Sequence, residues 1–175
     1  MTDTKWLIAR EIPRLRRYAL ALVGDPVAAD DLVQDTLERA LRKRHLWRRT
    51  GSLRSWLYRI LYNVFLNQAV HRRRRRLEVD LDLAPEGGEP SVQEIRLEYG
   101  EIVGALVRLP ADQRAAIALV AIEGLGYDEA AAALGIPVGT LRSRLSRGRE
   151  RLRALCPTEP TESASATTNH LKRVK

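Results

Sequence analysis

The stretch from Gly126 to Arg151, GYDEAAAALGIPVGTLRSRLSRGRER, constrains this chain more than any other. Tyr127 to Leu134 is rich in alanine and apolar along one side. Gly135 then supplies the positive φ that a sharp turn needs, and Pro137 interrupts the chain just before a new helical period. A short helix, a tight turn and a second helix make the helix-turn-helix pattern. In the second helix Leu141, Leu145 and Leu152 recur at i, i+4 and i+11 as a core stripe, with Arg142, Ser143, Ser146, Arg147, Arg149 and Arg153 lying off it. Arginine forks on such a helix suit guanine edges and phosphates in a major groove. The plainer alternative is an amphipathic surface helix with a solvated basic face.

Charge supports a polyanionic partner. The 175 residues hold 30 Lys+Arg against 22 Asp+Glu, a net charge of +8. The sign is uneven: residues 1–76 carry +11, 77–101 carry −7, 102–156 carry +3 and 157–175 carry +1, so two basic blocks flank an acidic one. This length allows one or two small domains and argues against an enzyme with separate cofactor and substrate modules. Cys156 has no partner for an internal disulfide, and His45, His71 and His170 are scattered, so no disulfide scaffold, clustered zinc site or other cofactor is expected. There is no nucleotide-binding glycine loop and no nucleophile–base arrangement, which makes an enzyme the least favoured class. No apolar run approaches the ~18–20 residues that span a bilayer, and the N-terminus does not read as a signal peptide. A soluble protein of a reducing cytoplasm, away from membranes, is the expectation.

In the first block, Ile12, Leu15, Tyr18, Ala19, Leu22 and Val23 follow a helical period up to Gly24, with Pro13 expected near the helix start. Asp25-Pro26 reads as a cap and a first-turn proline. The next helix buries Ala29, Leu32, Val33, Thr36, Leu37, Ala40 and Leu41. Its other side carries Asp31, Asp35 and Glu38 at i, i+4 and i+7, beside Gln34. Like charges so spaced repel by a few tenths of a kcal/mol per pair (about 0.2–0.5), and a basic partner would relieve them. Arg39 and Arg42, four residues after Asp35 and Glu38, offer the alternative of ordinary surface pairs. A loop, His45 to Ser52, leads to a helix from Leu53 in which Trp56, Leu57, Ile60, Leu61 and Val64 can face a core. Arg59, Asn63, Asn67 and His71 fall at successive i+4 steps as a polar stripe. Asparagine is a mediocre helix former, so two on one stripe need a reason. Hydrogen bonding to bases of a single strand is one, with Trp47, Tyr58 and Tyr62 as stacking surfaces or, alternatively, as core and rim aromatics. The run Arg72 to Arg76 would pair with phosphates next to that stripe.

Glu78 to Pro90 keeps no lasting period and reads as a linker. Ser91 and Glu94 form a capping box for a helix running to about Arg108, and Leu109-Pro110 breaks it. Ala111 to Glu123 is a further apolar helix, closed by Gly124 and Gly126. Four helices thus make the second domain, an all-α unit like the first, and the last 19 residues are too polar to pack. The expected organisation is residues 1–76, a flexible acidic linker over 77–91, a helix-turn-helix domain over 92–156 and a disordered tail over 157–175.

Three pieces, AADDLVQDTLERAL at Ala28 to Leu41, LRSWLYRILYNVFLN at Leu53 to Asn67, and LPADQRAAIALVAIEGLGYDEAAAALGIPVGTLRSRLSRGRERL at Leu109 to Leu152, resemble in order and spacing the extracytoplasmic-function sigma factors, group 4 of the sigma-70 family. The resemblance covers roughly residues 10 to 155. It implies that Asp31, Gln34, Asp35 and Glu38 dock on the clamp helices of the largest subunit of core RNA polymerase. It implies that Arg59, Asn63 and Asn67, with Trp47 and Ser52 of the preceding loop, hold the single-stranded −10 element. Arg142, Ser143, Ser146 and Arg147 would approach bases of the −35 element while Thr140, Arg144 and Arg149 hold its backbone. Promoter DNA, duplex and single-stranded, core polymerase and an anti-sigma factor are the implied partners. Two departures bear on the base contacts: Ser146 is small for a reader position, and Gly148 in mid-helix costs ~1 kcal/mol against alanine. A conventional helix-turn-helix repressor would have no use for the Asp31 row or the asparagine stripe. A sigma-like protein that only titrates an anti-sigma factor would tolerate loss of the arginines at 142–149.

Overall fold

A twenty-residue helix, α1 (Thr4–Val23), opens the computed structural model, which describes residues 4–47, 52–79 and 103–155, with the backbone alone over 72–79. Gly24 stops α1 with φ 77° and donates its N–H to the Leu20 carbonyl (2.8 Å). Asp25 caps α2 (Pro26–Arg42) by accepting from the Ala28 N–H at 2.7 Å, with Pro26 in the first turn. Pro13 is not near the start of α1 but inside it, at an exposed position. Only one backbone donor is lost there, and a buried face of Ile8, Leu15, Tyr18 and Leu22 on either side keeps the helix whole. A bidentate Arg16–Asp30 pair (2.7 and 2.6 Å) joins α1 to α2.

After a 3-10 turn at Arg44–Leu46, α3 (Leu53–Val79) packs on both α1 and α2, and its Leu57, Leu61, Val64 and Phe65 are buried. It runs past Arg76, so the first residues expected in the linker are helical. The rest of that linker, the Ser91–Glu94 capping box and the tail lie outside the described residues.

The second block begins with the helical residues 103–107, here α4, followed by α5 (Ala111–Ile117). The single helix expected over Ala111 to Glu123 changes character halfway. Ala118–Ile122 is a π turn, in which the Glu123 N–H reaches the Ala118 carbonyl at 3.0 Å. Such a turn inserts one extra residue and rotates the chain beyond it. Then come α6 (Tyr127–Leu134) and α7 (Val138–Leu155). The described residues form no strand.

The two helical blocks touch. Helix α3 lies against α6, and α1 lies against α5 and the π turn, so one continuous apolar core runs from Ile8 to Leu145. Ala130, Ala131 and Ala133 of α6 are buried, and their small side chains permit that close approach.

Candidate nucleic-acid interface

The turn between α6 and α7 comes from Gly135, which adopts the left-handed conformation at φ 66° and ψ 35°. Its N–H bonds the Ala132 carbonyl (3.2 Å) and that of Ile136 reaches back to Ala131 (3.1 Å), closing the end of α6. The Pro137 carbonyl accepts from Leu141 at 3.1 Å and starts α7. Leu141 and Leu145 are buried, as the core stripe requires. Gly148 is buried too, facing α5, where a Cβ would stand 2.6 Å from Ile117 Cδ1 and 3.3 Å from Gln113 Cβ. The mid-helix glycine is therefore a packing requirement of α5 against α7, and its helix-propensity cost says nothing of base contacts.

The outward face of α7 carries Arg142, Ser143, Ser146, Arg147, Arg149 and Arg153, all exposed. Tyr127, Leu145, Ser146 and the arginines 142, 149 and 153 line a shallow groove beside it. The Arg142 guanidinium sits 6.0 Å over the Tyr127 ring, at the outer limit of a cation–π contact. Arg147 folds back on its own helix, donating to the Ser143 carbonyl and Oγ (both 3.3 Å), and the Ser143 hydroxyl donates to the Thr140 carbonyl at 2.9 Å. These weak exposed bonds leave the groups free to re-pair with a polyanion. Arg144 stands apart. It is partly buried, pairs with Asp112 (3.2 Å) and lies beside the Tyr62 hydroxyl of α3. Thr140 is half-buried.

On α3, Arg59, Asn63, Asn67 and His71 are all exposed along one line, next to exposed Leu66 and Val70. Ser52 is exposed and caps the helix by accepting from the Ser55 N–H at 3.3 Å. Trp47 is half-buried with its indole N–H unpaired. Tyr58 and Tyr62 face inward instead, so in this conformation neither is a stacking surface. Burial, and then its hydrogen bond to Glu123, push the Tyr58 hydroxyl far above the ordinary tyrosine range. Burial also raises Tyr62, against the opposing charge of Arg144.

Asp31, Gln34, Asp35 and Glu38 share the exposed side of α2. Glu38 approaches Arg42 at 3.6 Å with both groups highly exposed, a pair of small energetic weight, and Asp35 accepts from Gln68 Nε2 of α3 at 3.0 Å. Two carboxylates of the row thus have neighbours, and the row still faces solvent. The three sets occupy three helices: the acid row on α2, the asparagine stripe on α3 and the arginine face on α7.

Glu123 was invisible to pattern reading. It is 7% exposed and the only buried charged residue among those described. It accepts from the Tyr58 hydroxyl at 2.6 Å and from Arg17 Nε and Nη2 at 3.2 Å each. Its one signal is a lone carboxylate at the end of the apolar run Ala115 to Ile122.

Residues 8–62 match a family model described as the Sigma2 domain of PhyR, and residues 99–152 match Sigma-70, region 4. Over 148 residues the chain is 40% identical to the ECF RNA polymerase sigma factor EcfG of Rhodopseudomonas palustris (strain TIE-1), covering 85% of this chain and 82% of that protein. Among solved structures it is similar to the sigma factor RpoE in complex with the anti-sigma factor NepR from Bartonella quintana, with a TM-score of 0.74, 34% identity and coverage of 89% of this chain and 97% of that one. It is also similar to CnrH in complex with the cytosolic domain of CnrY, with a TM-score of 0.62, 29% identity and coverage of 86% and 84%.

Proposed function

We propose, because the chain belongs to the extracytoplasmic-function (ECF) RNA polymerase sigma factors, that it binds core RNA polymerase, recognises −35 and −10 promoter elements and promotes promoter melting. The observation that carries this reading is the presence in one chain of two separate exposed polar faces fitted to DNA, on α7 and α3, with an acidic row on α2 left for a protein partner. Arg142, Ser143, Ser146, Arg147 and Arg149 read and hold the duplex upstream element. Asn63 and Asn67, with Arg59, Trp47 and Ser52, capture unstacked bases of one strand. Binding energy of that kind offsets the few kcal/mol (about 1–3 per base) of stacking that melting forfeits. Asp31, Gln34, Asp35 and Glu38 dock on the clamp helices of the largest polymerase subunit. Arg144 supports the domain through Asp112 and reaches the phosphate backbone only if it leaves that pair.

The chain performs no covalent chemistry in this scheme and works in the bacterial cytoplasm, in group 4 of the sigma-70 family. An anti-sigma factor is its regulator, as relatives solved with NepR and CnrY suggest by analogy. No described helix is long and apolar enough to cross a membrane. A second reading, a sigma-like protein that titrates an anti-sigma factor, draws on the first-domain match to the Sigma2 domain of PhyR. Permanganate footprinting with core polymerase on a promoter drawn from the source genome separates the two. The initiation reading expects reactive thymines around the −10 element that depend on Asn63 and Asn67, and an intact, unreactive duplex contradicts it.

A further inference from the structure

Helix α3 keeps two aliphatic side chains in water on its most polar side. Leu66 is 39% exposed and Val70 is 54% exposed, one turn apart, and neither belongs to the core. A single exposed aliphatic residue is ordinary on a protein surface. These two fall in register with the polar stripe. Arg59, Asn63, Leu66 and Val70 follow one another at i, i+4, i+7 and i+11, with Asn67 and His71 alongside, and all six are exposed. Charge selects the partner. Between Leu53 and Arg76 there are seven arginines and no acidic residue, and the helical backbone continues through Arg72–Arg76. A protein that covered the pair would bury it among positive charges, whereas a nucleic acid neutralises them. The aliphatic group that a duplex offers in its major groove is the thymine C5-methyl.

We propose that Leu66 and Val70 read thymine methyl groups in the duplex immediately upstream of the melted −10 element. The inference rests on the proposed function and adds sequence preference at base pairs that Asn63 and Asn67 do not reach. Val70 stands seven residues beyond Asn63. That is roughly 10 Å along the helix axis at about 1.5 Å per residue, or about three base-pair steps at about 3.4 Å each. The duplex within that reach is the upstream edge of the melted segment. Its downstream edge lies past a start point about ten bases away, roughly 34 Å on the same rise. Each methyl buried against the pair contributes about three- to fourfold in affinity. That is too little to locate a promoter and enough to rank promoters that share their −35 and −10 elements. Because the methyl projects from one strand only, the pair also tells A·T from T·A.

The test is equilibrium binding of holoenzyme, core polymerase with the full chain, to fluorescent promoter duplexes chosen by run-off mapping. Thymines on either strand in the about four base pairs next upstream of the −10 element are replaced in turn by deoxyuridine, which lacks only the methyl. At least one replacement is expected to weaken binding about three- to fourfold. Leu66→Ala combined with Val70→Ala keeps the helix, since alanine is the best helix former. It should weaken binding to the thymine duplex and abolish the difference between thymine and deoxyuridine, the signature of a direct contact in a double-mutant cycle. Deoxyuridine effects that are absent, or equal in the unsubstituted and variant chains, overturn the inference, as do mapped promoters with only G·C at those pairs. If the alanine variant instead loses core polymerase in a pull-down without DNA, the pair is a protein contact and the inference falls while the proposed function stands. A holoenzyme that starts no specific transcript and binds no duplex sinks the proposed function and this inference with it.

Discussion

Gly148 of α7 faces Ile117 of α5 so closely that a Cβ at position 148 would lie 2.6 Å from Ile117 Cδ1. In an exposed helix, Gly→Ala stabilises by about 1 kcal/mol, but forcing a methyl into a packed contact costs about 1–3 kcal/mol. Ile117 is 5% exposed and the Gln113 Cβ closes the other side at 3.3 Å, so the packing cost wins. Gly148→Ala is expected to lower stability by about 1 kcal/mol in urea denaturation. Adding Ile117→Val, which clears the Cδ1 atom, should recover part of the loss. A more stable Gly148→Ala chain would show that α5 and α7 do not meet this way.

Arginines on α7 should separate by face. Arg142→Ala and Arg147→Ala remove exposed groups and are expected to weaken promoter binding about 10- to 100-fold each, with thermal stability unchanged. Arg144→Ala removes the partner of Asp112, so its effect should show first in the melting temperature. Gel-shift titration at fixed salt, alongside thermal melts, reads both. An Arg144 variant with full stability and no DNA binding would reverse the division.

The acid row gives a charge-reversal prediction. Asp35→Arg places a cation among Asp31, Glu38 and Gln34 and should weaken binding to core polymerase by at least about tenfold in a pull-down or fluorescence titration. Gln68→Ala, which removes the neighbour that Asp35 accepts from at 3.0 Å, should leave binding within about twofold, as expected of an exposed hydrogen bond. Equal losses in the two variants would mean that the row acts by shaping α3 and not by touching the polymerase.

Asp30 supplies the pH dependence. The hydrogen bonds from Arg16 hold its carboxyl below the ordinary aspartate range. A depressed folded-state value stabilises above the unfolded value, and that stabilisation is lost as pH falls through the folded one. Acid titration monitored by NMR should find Asp30 protonating below the ordinary aspartate range, and Arg16→Ala should return it toward that range. The stabilisation is therefore present at neutral pH, and its loss is confined to acid pH.

Local grammar was readable in the chain because it rests on single residues with fixed conformational demands. Gly24 ends the first helix and Gly135 sits at the positive φ expected of it, Asp25 caps with Pro26 behind it, and Leu141 and Leu145 of the stripe are buried. Pro13 was misplaced because helix propensity weighs one missing donor without the tertiary face that compensates for it. The π turn at Ala118–Ile122 leaves no compositional trace in an apolar run. The Tyr58–Glu123 bond joins residues 65 positions apart, so no periodicity records it. The same blindness turned Tyr58 and Tyr62 into candidate base-stacking surfaces when both are buried.

Initiation from core enzyme tests the central claim most directly. Run-off transcription with purified core polymerase, this chain and DNA of the source genome should yield transcripts whose mapped starts share elements near −35 and −10, and that signal should fall in Arg142→Ala, Arg147→Ala and Asp35→Arg. No specific transcript from the unsubstituted chain, or undiminished transcription from all three variants, would contradict the assignment.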